Sequence, residues 1–121
     1  MPNQTTNNQP LVLSVTEGIF QVSPSDIIRM RSSNSYTLIY FTNRKPLLIA
    51  KVLKRFEDLL VPQGFVRIHR AHLINKRYIH SIDTAGNILM SDASETAISR
   101  RLRRQVLQQL QPVAADHYQS N

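Results

Sequence analysis

Between residues 11 and 49, many apolar residues alternate with polar ones, the period of two that is typical of β-strands with one buried face. The segment YTLIYF is aromatic and β-branched along most of its length, a composition that favours strands. Polar stretches rich in Pro, Asn and Ser interrupt the pattern and predict turns, and in one of them Asn34 suits a left-handed backbone conformation. We therefore expect strands at 11–15, 19–22, 27–31, 36–41 and 47–49.

The period changes to that of an α-helix in the next segment. Apolar residues recur there at i, i+1, i+4, i+7 and i+8 and form one stripe, while charged residues fill the opposite face. Ala50 and Lys51 precede the stripe, so no Ser, Thr or Asp is available as an N-cap. Pro62 and Gly64 predict the end of the helix. The stripe consists of Val52, Leu53, Phe56, Leu59 and Leu60.

The second half of the chain returns to strands and ends in another helix. The last helix is predicted from about Ser99 to Pro112, with an apolar stripe that includes Val106 and Leu110. Eight or nine short strands and two helices result, and their short connections favour antiparallel pairing. One domain at 11–111 is expected between polar tails at 1–10 and 112–121. The later strands are predicted at 65–68, 72–75, 78–82 and 87–91.

Composition adds a strong positive charge to this outline. The 15 Lys and Arg residues exceed the 8 Asp and Glu residues, giving a formal net charge of +7, which favours polyanions such as nucleic acid or an anionic membrane. The absence of cysteine excludes disulfides and thiolate metal sites. Neither a signal peptide nor an apolar run of about 20 residues is present, so we expect a soluble, cytoplasmic protein.

The histidines are the obvious candidates for metal or acid–base chemistry. His69, His72, His80 and Asp83 would be the metal ligands, but residues three apart in one strand face opposite sides. We therefore expect His69 and His72 not to converge, and we predict no metal and no cofactor. No glycine-rich phosphate loop, G-x-S-x-G turn or spaced carboxylate pair indicates an enzyme.

Basic residues form three clusters, each at or beside a predicted turn. Arginines at the start of a helix are unfavourable next to the positive end of the helix dipole, and their presence there suggests that they bind a polyanion. The alternative is a solvated basic face. Cations on loops suit contacts to phosphates and base edges. The clusters are Arg29, Arg31, Arg44 and Lys45; Arg67, Arg70, Lys76 and Arg77; and Arg100, Arg101, Arg103 and Arg104.

Several segments together resemble the LytTR family of bacterial DNA-binding domains. The resemblance covers residues 11 to about 110, and its most specific part is the pattern F-x-R-x-H-R…I-N. Three positions depart from the family pattern: Ala71 replaces a serine, His72 an aromatic residue and Ser35 an asparagine. The matching segments are DIIRMRSSNSYT, LKRFEDLL, FVRIHRAHLINKRYI and ISRRLRRQVLQQL.

The resemblance implies a mostly β fold with two helices, elongated and antiparallel, in which loops and not a recognition helix contact DNA. It implies major-groove contacts from the loop at Asn34 and Ser35 and from Arg100, and backbone or minor-groove contacts from the corner at His69 and Arg70. Family members bind paired direct repeats, bend DNA and often carry a receiver domain. The candidate DNA-binding residues are Asn34, Ser35, Arg67, His69, Arg70, Lys76, Arg100, Arg101 and Arg104.

The expected function is therefore that of a sequence-specific transcription regulator, either stand-alone or the output domain of a two-component response regulator. Its partners would be double-stranded DNA and a second copy side by side on that DNA, with no membrane and no small-molecule substrate. Two other functions stay open: a module that binds an acidic protein or membrane, and a small hydrolase that uses His69 or His72. In FVRIHRAHLIN, Asn75 is expected to close a loop, and the core residues are Phe65, Ile68, Leu73 and Ile74.

Overall fold

Ten β-strands and two α-helices make up residues 9–110, the part of the chain that this computed structural model describes. The helices are α1, Leu53–Leu60, and α2, which covers 103–110 of the described residues. The predicted tails, apart from residues 9 and 10, and the predicted helix end at Pro112 lie outside these residues. The strands are β1 Leu11–Val15, β2 Gly18–Val22, β3 Ile27–Ser33, β4 Tyr36–Phe41, β5 Leu47–Ile49, β6 Phe65–His69, β7 His72–Asn75, β8 Ile79–Ile82, β9 Asn87–Met90 and β10 Glu95–Ala97.

The strands form three antiparallel sheets. A central sheet has the order β5-β4-β3-β7-β6, and it is accompanied by the hairpin β1-β2 and the small sheet β10-β9-β8. The expected mostly β fold with two helices and antiparallel pairing is thus confirmed. Strand β10 was not predicted, because Thr96 is its only buried residue and its pairing with β9 defines it.

Both faces of the central sheet are covered, which gives the domain two apolar clusters. One face packs against α1 and the β1-β2 hairpin and buries Met30 and Leu73. The other packs against β8–β10 and α2 and buries Ile68 and Ile74, with Val106 from the helix. We call these the α1 face and the α2 face. The four core residues expected in FVRIHRAHLIN are all buried, as predicted.

Helix α1 is short and covers the sheet with a narrower stripe than the sequence suggested. Leu53, Phe56 and Leu60 are buried, whereas Val52 and Leu59 are about half exposed. Val52 occupies the N-cap position and makes no side-chain capping bond, in agreement with the missing cap residue. None of the helices in residues 9–110 has the length and apolar character needed to cross a bilayer.

Two asparagines hold loops in the manner expected. Asn34 has φ 57°, the left-handed conformation, at the turn between β3 and β4. Asn75 is buried, donates through Nδ2 to the carbonyl of Ile27 at 2.9 Å, and accepts through Oδ1 from the amide of Arg77 at 3.0 Å. It therefore fastens the end of β7 to the start of β3, and its predicted loop-closing role is confirmed.

Candidate nucleic-acid interface

Three segments far apart in sequence meet at one end of the central sheet. The amide of Ser32 donates to the carbonyl of Ala71 at 2.9 Å, and the amide of Ser99 donates to the carbonyl of Ile68 at 2.9 Å. These bonds place the β6-β7 turn between the β3-β4 turn and the segment before α2. We call residues 34–35, 69–71 and 99–104 the three-loop surface.

The β3-β4 turn presents two polar side chains to solvent. Asn34 and Ser35 connect Ser33 and Tyr36, which are paired across the hairpin. Both turn residues are exposed, and neither side chain is hydrogen-bonded to another residue in the described part of the chain. Their polar atoms are consequently available to a ligand.

The β6-β7 turn carries His69, Arg70 and Ala71. The Ala71 amide donates to Nδ1 of His69 at 3.0 Å, so in the neutral imidazole the proton is on Nε2. Arg70 is exposed and forms no ion pair with any residue of 9–110. The turn thus offers one imidazole donor and one unpaired cation.

Arg67 lies beside this turn but is occupied by the protein itself. Its guanidinium donates to the carbonyl of His69 at 2.9 Å, to the carbonyl of Arg70 at 2.6 Å and to Oε1 of Glu57 at 2.6 Å. Only 20% of the side chain is exposed. Among the candidate DNA-binding residues it is the one whose donors are already engaged.

His69 and His72 lie next to each other, contrary to expectation. They are paired across the β6-β7 hairpin, and their ring centroids are 5.4 Å apart. The prediction that they would not converge is wrong, because residues 70–71 turn the chain and place the two histidines on neighbouring strands. Within residues 9–110 no group of three or more His, Asp or Glu residues could hold a metal ion.

His72 is held in its neutral form by its surroundings. Burial lowers its pKa to about 4, with further contributions from the nearby His69, Arg29 and Arg31. Its Nδ1 is buried without a hydrogen-bond partner in the described structure. At neutral pH His72 therefore adds no positive charge to this region.

The sequence predicts only part of a polar cluster that lies on the α2 face. Arg29 pairs with Asp92 at 3.1 Å, and its guanidinium lies 3.7 Å from the ring centre of Tyr40, whose hydroxyl accepts from Arg31 at 3.3 Å. Burial alone would raise the pKa of Asp92, but hydrogen bonds from Ser94 and the Arg29 charge hold it below its usual value. The period of two places both arginines on one face, yet their partners are distant in sequence.

The arginine run before α2 divides into two kinds of residue. The Leu102 amide donates to Oγ of Ser99 at 3.2 Å in a turn that precedes the helix, so α2 begins at residue 103 and not near Ser99. Arg100, Arg101 and Arg104 are exposed and form no ion pair within the described residues. Arg103 instead donates to the carbonyls of the β8-β9 turn at 3.0 and 3.2 Å.

Two further basic residues, Lys76 and Arg44, lie away from the three-loop surface. Lys76 is exposed but follows β7, whereas Arg70 precedes that strand, so the two are at opposite ends of it. Arg44 lies over the ring of Phe20, with 4.4 Å to its centre. Of the candidate residues, Lys76 lies away from the three-loop surface, and Arg67 lies beside it with its donors engaged by the protein.

Comparison with known proteins identifies the fold and the family. The transcriptional regulatory protein LytR of Staphylococcus aureus strain N315 is 32% identical over 75 residues, which cover 62% of this chain and 30% of that protein. The sensory transduction protein LytT of Bacillus subtilis is 27% identical over 108 residues, 86% of this chain and 44% of that protein. The chain therefore spans less than half the length of these relatives.

A solved LytTr DNA-binding domain of a response regulator from Bacillus cereus has the same fold. The TM-score is 0.73 at 22% sequence identity, and the match covers 84% of this chain and 96% of that domain. The family model for the LytTr DNA-binding domain matches residues 17–111, which include every loop of the three-loop surface. This chain belongs to the LytTR family of DNA-binding domains.

Proposed function

We propose that this domain binds double-stranded DNA at specific sequences through the three-loop surface and thereby regulates transcription. The main support is the backbone pairing that joins three loops into one surface with exposed polar and cationic side chains. Loops suit this task because they carry side chains into grooves while the sheet holds their positions. The net charge of +7 supplies attraction to any duplex.

The order of the loops suggests how the duplex is contacted. The β6-β7 turn lies between the other two loops, since each of them bonds to it or to the strand beside it. A duplex that meets Asn34 and Arg100 in successive major grooves places the intervening minor groove over His69 and Arg70. We propose that contact at all three points bends the DNA, at a cost that depends on its sequence.

Each candidate residue has a role that suits its chemistry. The Asn34 amide suits an adenine edge and the Arg100 guanidinium a guanine edge, the common bidentate pairings of the major groove. Arg70, Arg101 and Arg104 are free to neutralise phosphates. Ser35 adds a hydroxyl beside Asn34, His69 donates through Nε2, and Lys76 contributes general attraction to the duplex.

The operator is proposed to consist of paired direct repeats. Each copy would read one half-site through its three-loop surface, and a second copy side by side would read the next half-site in the same direction. The chain would act as the output domain of a longer regulator or on its own.

Selection of bound duplexes from a random pool at near-physiological salt tests this proposal. A recovered motif, present as two copies in the same direction, is the expected result. About six phosphate contacts would give a slope of log K against log[salt] near −5 for any duplex. Binding that has this salt dependence while the recovered pool stays random would refute sequence-specific recognition.

A further inference from the structure

We propose that Arg67 and Glu57 form a clamp that positions the β6-β7 turn for DNA, and that Arg67 itself makes no DNA contact. The inference rests on the proposed function, because the turn matters only if the three-loop surface binds a duplex. It changes the role of Arg67 from a contact residue to a positioning residue. It also brings Glu57 of α1, a residue outside the three-loop surface, into DNA recognition.

The bonds of Arg67 join the β6-β7 turn to helix α1. Its Nε and one terminal nitrogen bind the carbonyls of His69 and Arg70, and the other terminal nitrogen binds the Glu57 carboxylate. A guanidinium is planar, so three bonds from its three nitrogens fix both carbonyls relative to the carboxylate. The two carbonyls belong to the residues that we assign to the DNA backbone or minor groove.

The Arg67 side chain lies on the α1 face of the sheet, and its donors bind the protein itself. Arg67 is paired with Leu73, which is buried under α1, and its partner Glu57 lies on that helix. His72 and the arginines of β3 lie on the α2 face instead, by the alternation of the strands. Arg67 therefore bonds to the β6-β7 turn from the α1 face of the sheet.

The turn needs such support because the regular ladder is interrupted there. The strand register shifts between Arg67 and His69, and the side chain of His69 accepts the Ala71 amide. Side-chain bonds thus add to the backbone bond between Ser32 and Ala71 in fixing residues 69–71. Loss of the clamp should leave the turn formed, but its backbone conformation should become more variable.

A second ion pair on α1 provides a matched control. Lys54 and Asp58 are 3.2 Å apart with side chains 68% and 63% exposed, whereas Arg67 and Glu57 are 2.6 Å apart with 20% and 27% exposed. Glu57→Ala and Asp58→Ala each remove one carboxylate from adjacent positions of the same helix. Their effect on general attraction to DNA is the same, so any difference between them reports the clamp.

The experiment compares the two variants and Arg67→Lys with the wild type. We expect faster amide hydrogen exchange at residues 70–72 in Glu57→Ala and Arg67→Lys, and unchanged exchange in Asp58→Ala. We expect the first two to bind the selected duplex about two- to tenfold more weakly than Asp58→Ala, the range of one net hydrogen bond. Lysine keeps the charge at position 67, so a simple phosphate contact would be largely preserved in Arg67→Lys.

The clamp, the role of Arg67 and the proposed function are each overturned by a different result. If Glu57→Ala matches Asp58→Ala in both exchange and affinity, there is no clamp. If Arg67→Gln lowers the salt slope by about 1 while Glu57→Ala changes neither exchange nor affinity, Arg67 is a phosphate contact. If the wild type selects no motif, the proposed function fails, and hydrogen exchange alone still decides whether the pair fixes the turn.

Discussion

Replacement of Asn75 by alanine should destabilise the domain strongly, because this side chain is buried and joins two segments. Asn75 is 5% exposed, and its amide makes one bond of 2.9 Å to Ile27 and one of 3.0 Å to Arg77. Each net hydrogen bond is worth about 0.5–1.5 kcal/mol, and each buried group left without a partner adds to the loss. We therefore expect the free energy of unfolding to fall by about 2–4 kcal/mol.

Urea denaturation followed by circular dichroism measures this loss. The midpoint should fall by roughly 1–3 M with an unchanged slope, because the native fold is retained. Asn87→Ala is the matched control, since Asn87 is exposed and its amide binds only the exposed Asp83 carboxylate; its effect should stay within about 0.5 kcal/mol. Equal stabilities of the two variants would mean that water or a local shift replaces the Asn75 bonds, and the reasoning would fail.

Other predictions concern the arginine run and His72. Arg100→Ala should weaken binding to the selected duplex by about 1–3 kcal/mol more than to random DNA, whereas Arg104→Ala should weaken both alike and lower the salt slope by about 1; equal losses for Arg100→Ala would contradict its role as a reader. Arg103→Ala should instead lower the free energy of unfolding by about 1 kcal/mol in urea melts, since its bonds to the β8-β9 turn are lost. Because the pKa of His72 is lowered from 6.5 to about 4, the unfolded state binds more protons between those values, and stability should decrease as pH falls through that window. Partial exposure reduces this effect to on the order of 1–2 kcal/mol, and urea melts at pH 7 and 4.5 should show a weaker pH dependence for His72→Phe. The same dependence in both proteins would assign it to other groups.

The pattern of burial made most of the fold predictable from sequence. Strands with a clear period of two, such as β4, form where they were expected, since burial of one face acts residue by residue. Asn34 was predictable because its turn conformation is local. Strand β10 and the start of α2 depend instead on pairing with β9 and on the Ser99 turn, which sequence periodicity does not contain.

The candidate site was predictable as a set of loops and less so residue by residue. Arg67, Arg70, Arg100 and Arg103 have the same chemistry, and only their tertiary partners separate them. Glu57 and the β8-β9 turn engage two of these arginines, while the other two remain unpaired within the described residues. The convergence of the histidines likewise depends on a turn of two residues, which reverses the chain within a segment of mixed polarity.

The bonds that unite the three loops have a consequence for protein engineering. They join main-chain atoms of Ser32 and Ala71 and of Ser99 and Ile68, so they do not depend on which side chains occupy the neighbouring exposed positions. Positions 35 and 100 can therefore be randomised together without loss of the frame that presents them, whereas position 34, with φ 57°, should be varied only among residues that accept a left-handed conformation, such as Asn, Asp and Gly. A combinatorial library built in this way should yield mostly folded proteins, and under the proposed function its members should differ in the DNA sequences that they prefer.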